Sequence, residues 1–314
     1  ADYSAPPEAP YTAQDVRIPV RPTQGDSFEL VGTLTLPKAA RPPFPAAIMI
    51  TGSGAQDRDE NLWPLVPSYR PFRDIAARLA PEGIAVLRMD DRGFAPSGGS
   101  RDSATIEDFA GDLEAQVAWV RRRPEIDASR IALVGHSEGG VVGPMVAARD
   151  PGVAAVVIMA GSAKPGVDVL RDQFTWPIES AQGLSPERKT AMREEALKSL
   201  YRDTTGLDPW MRHFRRYDPL PTARRVRQPV LILQGALDRQ VTAGQADTLA
   251  QAMRASGNPD VTVHIFPRLN HLFLVAPTDG SPAEYAAIEN TGLPAEVLDP
   301  LASWLAARLR ARAR

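Results

Sequence analysis

The chain contains no cysteine. That excludes a thiolate nucleophile, a cysteine-ligated metal and a disulfide framework, and it says nothing about compartment. Lysine is scarce, found only at 38, 164, 189 and 198. Positive charge is therefore almost all arginine, which reads as a coding bias before it reads as function. Neither sign of charge dominates, since 36 basic and 38 acidic residues leave a formal net charge of −2. Such a balance gives no case for a nucleic-acid partner or for attraction to an anionic membrane. No apolar run comes near the roughly 18 residues of a spanning helix, so no membrane span is expected. Histidine occurs four times, which keeps the set of candidate general bases small.

What is present suits a large folded unit. With 314 residues, 43% hydrophobic and 24% charged, the chain can close a core without a metal or disulfide staple. It begins at Ala1 without methionine, and Ala1 to Pro10 is rich in Pro and Ala. One expectation is an exported, periplasmic protein whose leader was removed; the alternative is a trimmed, cytoplasmic chain.

Residues 1–13 read as a flexible tail. Val16 to Val20 and Phe28 to Leu36 read as a hairpin, turned at Pro22-Thr23-Gln24-Gly25-Asp26. A buried-type strand over Pro45 to Thr51, a helix over Pro71 to Ala80 and a strand over Ile84 to Met89 follow. A long helix from Thr105 to Arg123 opens on a Thr105/Asp108 capping-box pattern. Strands are expected at Ile131 to Gly135, Val153 to Met159, Pro229 to Leu233 and Val261 to Phe266, and helices near Gly244 to Ala255 and Asp299 to Arg310. The alternation predicts an α/β fold with a mainly parallel sheet covered on both faces. Between Gly161 and Arg227 the strand rhythm stops for about 65 residues, far beyond an ordinary connection. With Ser185-Pro186-Glu187 as a helix start, 162–227 is expected to be a helical cap inserted into a core domain of 14–161 and 228–314.

The most informative stretch is Gly135-His136-Ser137-Glu138-Gly139-Gly140. A G-x-S-x-G between a strand and a helix is a nucleophile elbow. The turn is so tight that a Cβ two residues before or after the serine would meet backbone, and the strain presents the hydroxyl at its tip. The following helix N-terminus favours negative charge formed there.

A serine hydroxyl needs a base, and the base an orienting acid. Of the four histidines, His136 sits beside the serine and should point away from it. His264 lies in a strand and suggests a structural role, and His213 is in the cap. His271 follows the last strand, where α/β proteins place working residues, and is the expected base. Asp238, just past the strand Leu231 to Leu233 in a strand-Gly-x-x-Asp form, is the expected acid; Asp168 and Asp172 compete. The oxyanion donors expected are the backbone N–H of Glu138 and of Ser53, with Gly54 next, from the loop Thr51 to Glu60. The Glu138 carboxylate has two readings: a surface group favoured by the helix dipole, or a bond to the loop carrying Ser53. Asp57-Arg58-Asp59-Glu60 reads as a local ion-pair network fixing that loop. The arginines at 212, 215, 216, 224, 225 and 227 read as a solvated cap face or an anionic-substrate site. Trp176, Trp210, Phe214 and Tyr217 either line an apolar pocket, with Gly54 and Leu272, or form the cap's own core.

From about residue 15 to 310 the chain resembles the α/β-hydrolase superfamily. Within it, the chain is similar to bacterial serine esterases and acyl hydrolases, on Gly52 to Glu60, Asp91-Arg92-Gly93, Gly135 to Gly140, Trp210 to Pro219 and Asn270 to Phe273. The resemblance implies an eight-stranded sheet, a Ser137–Asp238–His271 triad, and hydrolysis of small to medium acyl esters without cofactor or metal. It departs at Thr51, where many relatives have His, and at Phe94-Ala95-Pro96, in place of a Gly-containing turn; both are expected to reshape the pocket mouth. A peptidase or amidase, a thioesterase or an acyltransferase on the same residues is the first alternative. A silent hydrolase fold used for binding is the second.

Overall fold

The structure is a computed structural model that describes residues 2–23, 25–202 and 206–310. Gln24 of the expected hairpin turn lies outside the described residues, as do Ala1, 203–205 of the expected cap and 311–314.

The hairpin forms from β1 (Tyr11–Val20) and β2 (Phe28–Pro37), paired antiparallel. Next come β3 (Phe44–Ile50), α1 (Pro71–Leu79), β4 (Ala85–Met89), α2 (Ile106–Val120), β5 (Ile126–His136), α3 (Gly139–Arg149) and β6 (Ala155–Met159). Four helices then intervene: α4 (Gly166–Ser180), α5 (Pro186–Tyr201), α6 (Pro209–Arg216) and α7 (Pro219–Ala223). The alternation resumes with β7 (Val230–Gly235), α8 (Gly244–Ala255), β8 (Val261–Phe266) and α9 (Ala295–Arg308). The eight strands form one sheet in the order β1-β2-β4-β3-β5-β6-β7-β8. It is parallel from β4 to β8, and β2 runs antiparallel to both its neighbours.

The pleat sorts the core into two layers. Ala46 and Ile48 of β3 pack with α2, α3 and α8 on one face, while Ala47 and Met49 pack with α1 and α9 on the other. Burial on both faces is why the central strands are continuous apolar runs. Each fully buried Leu or Ile, such as Ile48 and Leu133, contributes about 1.5–3 kcal/mol. The start of α2 carries the expected reciprocal cap: Thr105 N–H donates to Asp108 Oδ2 at 2.8 Å, and Asp108 N–H to Thr105 Oγ1 at 3.4 Å.

The expected tail is not loose. β1 starts at Tyr11, which is buried, and Ala9 is buried as well. Farther out, Tyr3 donates to Asp57 Oδ2 at 3.1 Å while the Arg58 guanidinium lies 4.1 Å over its ring. The segment is short of apolar periodicity, so its anchoring by an aromatic ring on a cation left no pattern to read.

The elbow joins β5 to α3. Ser137 has φ of 53°, an unusual value for a residue with a Cβ. A Cβ on Gly135 would stand 2.0 Å from Gly139 O, and one on Gly139 would stand 2.1 Å from Ile50 O. These glycines therefore let three backbone segments meet under the serine. We expect Gly139→Ala to destabilise the protein by at least ~2 kcal/mol, measured by denaturant unfolding. A variant of unchanged stability would show that the elbow has room the geometry denies.

Candidate functional site

Ser137, Asp238 and His271 come from three different strand ends: the elbow after β5, the loop after β7 and the loop after β8. The structure brings them together. His271 Nε2 lies 3.1 Å from Ser137 Oγ, and His271 Nδ1 lies 2.8 Å from Asp238 Oδ2. Asp238 is buried and fully engaged. Its Oδ1 accepts from the N–H groups of Gln240 and Val241, each at 2.8 Å, and Oδ2 also accepts from Gln234 Nε2 at 2.9 Å. Four donors at fixed positions hold the carboxylate in one rotamer. The competing acids are used elsewhere: Asp168 pairs with Arg171, and Asp172 with Lys164. His264 is exposed on β8, so its expected structural role finds no buried partner, and His213 sits on α6.

His271 is held from behind by residues whose part the sequence did not disclose. The ring of His136 turns away from Ser137, as expected, but into a buried site. Its Nε2 lies 2.9 Å from His271 O, and its Nδ1 lies 3.0 Å from Glu60 Oε1. Both partners offer acceptor oxygens, which favours a proton on each ring nitrogen. Burial opposes that charge, but the Glu60 carboxylate and the His271 carbonyl outweigh it, and the His136 pKa is raised. The same Glu60 oxygen accepts from Gly52 N–H at 2.6 Å. One carboxylate thus ties the loop carrying Ser53 to the loop carrying His271. Only the i, i+3 neighbours of Glu60 were visible in sequence, and its partners lie 8 and 76 positions away.

This corrects the expectation of a local network in Asp57 to Glu60. Arg58 pairs with Asp90, through Nε at 3.1 Å and Nη2 at 2.6 Å, and Asp59 pairs with Arg88 of β4. The ion pairs of this segment run to the neighbouring strand end, while Asp57 and Glu60 accept from N–H groups of the loop itself. Asp91 adds a further pin, accepting from Thr51 Oγ1 at 2.6 Å and Gln56 N–H at 2.9 Å. Burial pushes the Asp91 carboxyl up to about 7, against these bonds and the nearby Arg101.

Neither reading of the Glu138 carboxylate holds. It is buried, and it bonds not to the Ser53 loop but to the indole of Trp210 on α6, with Arg101 Nη2 at 3.5 Å from its other oxygen. Burial raises its pKa while Trp210 and Arg101 oppose the shift. Trp210 stacks on Phe214 with centroids 5.2 Å apart. The residue after the serine therefore holds the inserted helices over the site. Glu138 N–H and Ser53 N–H have no acceptor among the described residues, so both remain available to a substrate oxygen.

Above Ser137 and His271 lies a cavity of about 380 Å³, walled by Leu62, Leu65, Val169, Trp210, Phe214 and Leu272. Of the expected pocket residues, Trp210, Phe214 and Leu272 line it, and Gly54, Trp176 and Tyr217 do not. Tyr217 packs into the core beside α3 and bonds Thr222 Oγ1 at 2.7 Å. Trp176 faces a neighbouring chamber. Gly54 is displaced from the lining by Ser53 and Gln56. Thr51 and Phe94 to Pro96 are also absent from the lining, so these departures do not shape the mouth. Of the cap arginines, Arg212 and Arg216 border a surface hollow away from Ser137, and Arg215 donates to Leu200 O. Among the described residues there is no group of three or more His, Cys, Asp or Glu placed to hold a metal, and no helix long and apolar enough to cross a membrane.

Comparison with known proteins gives a consistent result. The sequence matches the profile of the alpha/beta hydrolase family over residues 47–288. It is 32% identical over 285 residues to Esterase EstD of Thermotoga maritima, covering 88% of this chain and 65% of that protein. It is 27% identical to Dipeptidyl aminopeptidase BIII of Pseudoxanthomonas mexicana, covering 81% of this chain and 35% of that one. The chain therefore spans less than two thirds of these relatives. In fold it resembles the Pyrococcus furiosus esterase Pf2001, with a TM-score of 0.65 at 17% identity over 99% of this chain and 96% of that one.

We expect Glu60→Gln to cost about 3 kcal/mol of stability, because it strands a buried cation. Since the folded pKa of His136 is raised, the ion pair's contribution is complete below the ordinary value of 6.5 and is lost as pH rises through the raised one. The gap in stability between wild type and variant should therefore be widest below pH 6.5 and shrink as the pH rises above it, by denaturant unfolding at each pH. A gap that widens with pH would contradict the assignment.

Proposed function

The chain belongs to the α/β-hydrolase family, and on that premise we propose that it is a serine carboxylesterase acting on small to medium acyl esters. The observation that carries the reading is the continuous line from Ser137 Oγ through the His271 ring to Asp238, at 3.1 and 2.8 Å. Ser137 attacks the acyl carbonyl while His271 Nε2 takes its proton. Asp238 fixes the tautomer by accepting from Nδ1–H and offsets the imidazolium that forms. The N–H groups of Ser53 and Glu138 receive the oxyanion, and a lost donor of this kind costs about 3–4 kcal/mol at the transition state. The proton on Nε2 passes to the leaving alcohol. His271 then deprotonates water, which attacks the acyl-enzyme and returns Ser137 to its free form. The likeness to EstD supports the ester class, and the predominantly apolar cavity suits a hydrocarbon acyl group.

A second reading, amide hydrolysis on the same residues, is favoured by the likeness to the dipeptidyl aminopeptidase. A panel of p-nitrophenyl esters, aminoacyl anilides and acyl thioesters separates the two, and turnover of anilides alone would displace the ester reading. We expect Ser137→Ala to lower kcat at least about 10⁴-fold and to abolish covalent labelling by a fluorophosphonate, with unfolding little changed. A folded Ser137→Ala protein that retains labelling and near-normal ester turnover would refute the proposal.

A further inference from the structure

A second chamber of about 400 Å³ adjoins the Ser137 cavity, and Gln173, Gln240 and Pro282 line both. Its wall carries Trp176 of α4 and Arg239, the residue after the triad aspartate. The guanidinium lies 5.2 Å from the centre of the indole ring. Its Nε donates to Asp279 O at 2.7 Å, whereas Nη1 and Nη2 have no protein partner among the described residues. Arg239 makes no ion pair there either.

The acids on the same rim are already engaged. Asp279 Oδ1 accepts from Ser281 N–H at 2.9 Å. Glu284 accepts from Thr278 N–H and Oγ1, Asp279 N–H and Gly280 N–H at 2.6–3.3 Å. The rim is held close by Gly280, where a Cβ would stand 1.9 Å from Leu237 O. This brings the Asp279 carbonyl to Arg239 Nε and fixes the fork while leaving its two outer nitrogens open. A held guanidinium beside an aromatic ring matches a carboxylate, with a planar or apolar body against the ring.

We propose that this chamber is a subsite for a carboxylate-bearing end of the substrate, so that the preferred ester is a monoanion whose acid group reaches past Gln173 and Gln240 to Arg239. The inference rests on the ester reading for its chemistry but not for its binding. Trp176 thus lines the second chamber rather than the acyl cavity, and the cation beside it comes from the loop after β7 rather than from the cap arginines.

Two measurements test it. The first is calorimetric binding of monomethyl and dimethyl esters of a series of dicarboxylic acids to Ser137→Ala protein, alone and with Arg239→Gln or Arg239→Lys. The second is kcat/KM of the same esters with active protein. At the best chain length the monoester should bind about fivefold tighter than the diester. The ratio should fall to near one with Arg239→Gln and be only partly kept with Arg239→Lys, which preserves the charge but loses the Nε bond and the two-nitrogen fork. The kcat/KM ratio should follow it. No preference for the monoester, or a preference that survives Arg239→Gln, overturns the subsite. Binding preference without turnover of any ester upholds the subsite and removes the ester reading; turnover without preference does the reverse.

Discussion

Glu60 Oε1 accepts from the Gly52 N–H and from the His136 ring, and the opposite nitrogen of that ring faces the carbonyl of His271. Through this bridge the oxyanion loop, the elbow strand and the histidine loop share one position beneath the serine. His136 ends β5 and has its ladder, but neither loop is regular structure at that point, so neither has a ladder of its own to fix it. A buried ion pair is weak evidence for stability in general, because desolvation offsets most of the Coulomb gain. Here its value lies in geometry: the carboxylate and the ring allow one arrangement of their donors, and a loop misplaced by an ångström would part His271 from Ser137.

The surrounding charges extend that logic. Arg58 and Asp59 bind across to Asp90 and Arg88 at the end of β4, Asp91 just after β4 accepts from Thr51 and Gln56, and Glu138 binds across to α6. The 52–60 loop has little apolar side chain with which to bury itself. It is held by charge-assisted bonds in a low-dielectric setting, where they are directional and costly to break. Glu138 couples this base to the inserted helices, so the residue whose N–H we propose for the oxyanion also places Trp210 in the cavity wall. Catalytic and pocket geometry are therefore joined at a single residue.

Much of this was legible in the sequence, for identifiable reasons. The parallel sheet could be read because strands buried on both faces leave uninterrupted apolar runs, and the elbow because its glycines keep a fixed local spacing about the serine, although Gly139 answers to the distant Ile50 backbone. Ser137, Asp238 and His271 could be picked out because each follows a strand, and the structure brings their side chains into contact. Partners far apart in sequence could not be read: Glu60 with His136, Glu138 with Trp210, Tyr3 with Arg58. Side-chain direction in the inserted helices was equally hidden, since Trp176, Trp210, Phe214 and Tyr217 look alike as apolar residues and only two of them face the serine.

The protonation state of His136 tests the bridge most directly. Nitrogen-15 shifts of its ring, recorded at the ordinary histidine value of 6.5, should show both nitrogens predominantly protonated. A ring with one bare nitrogen at that pH would mean that Glu60 does not hold an imidazolium, and the account of how the site is kept in register would fail.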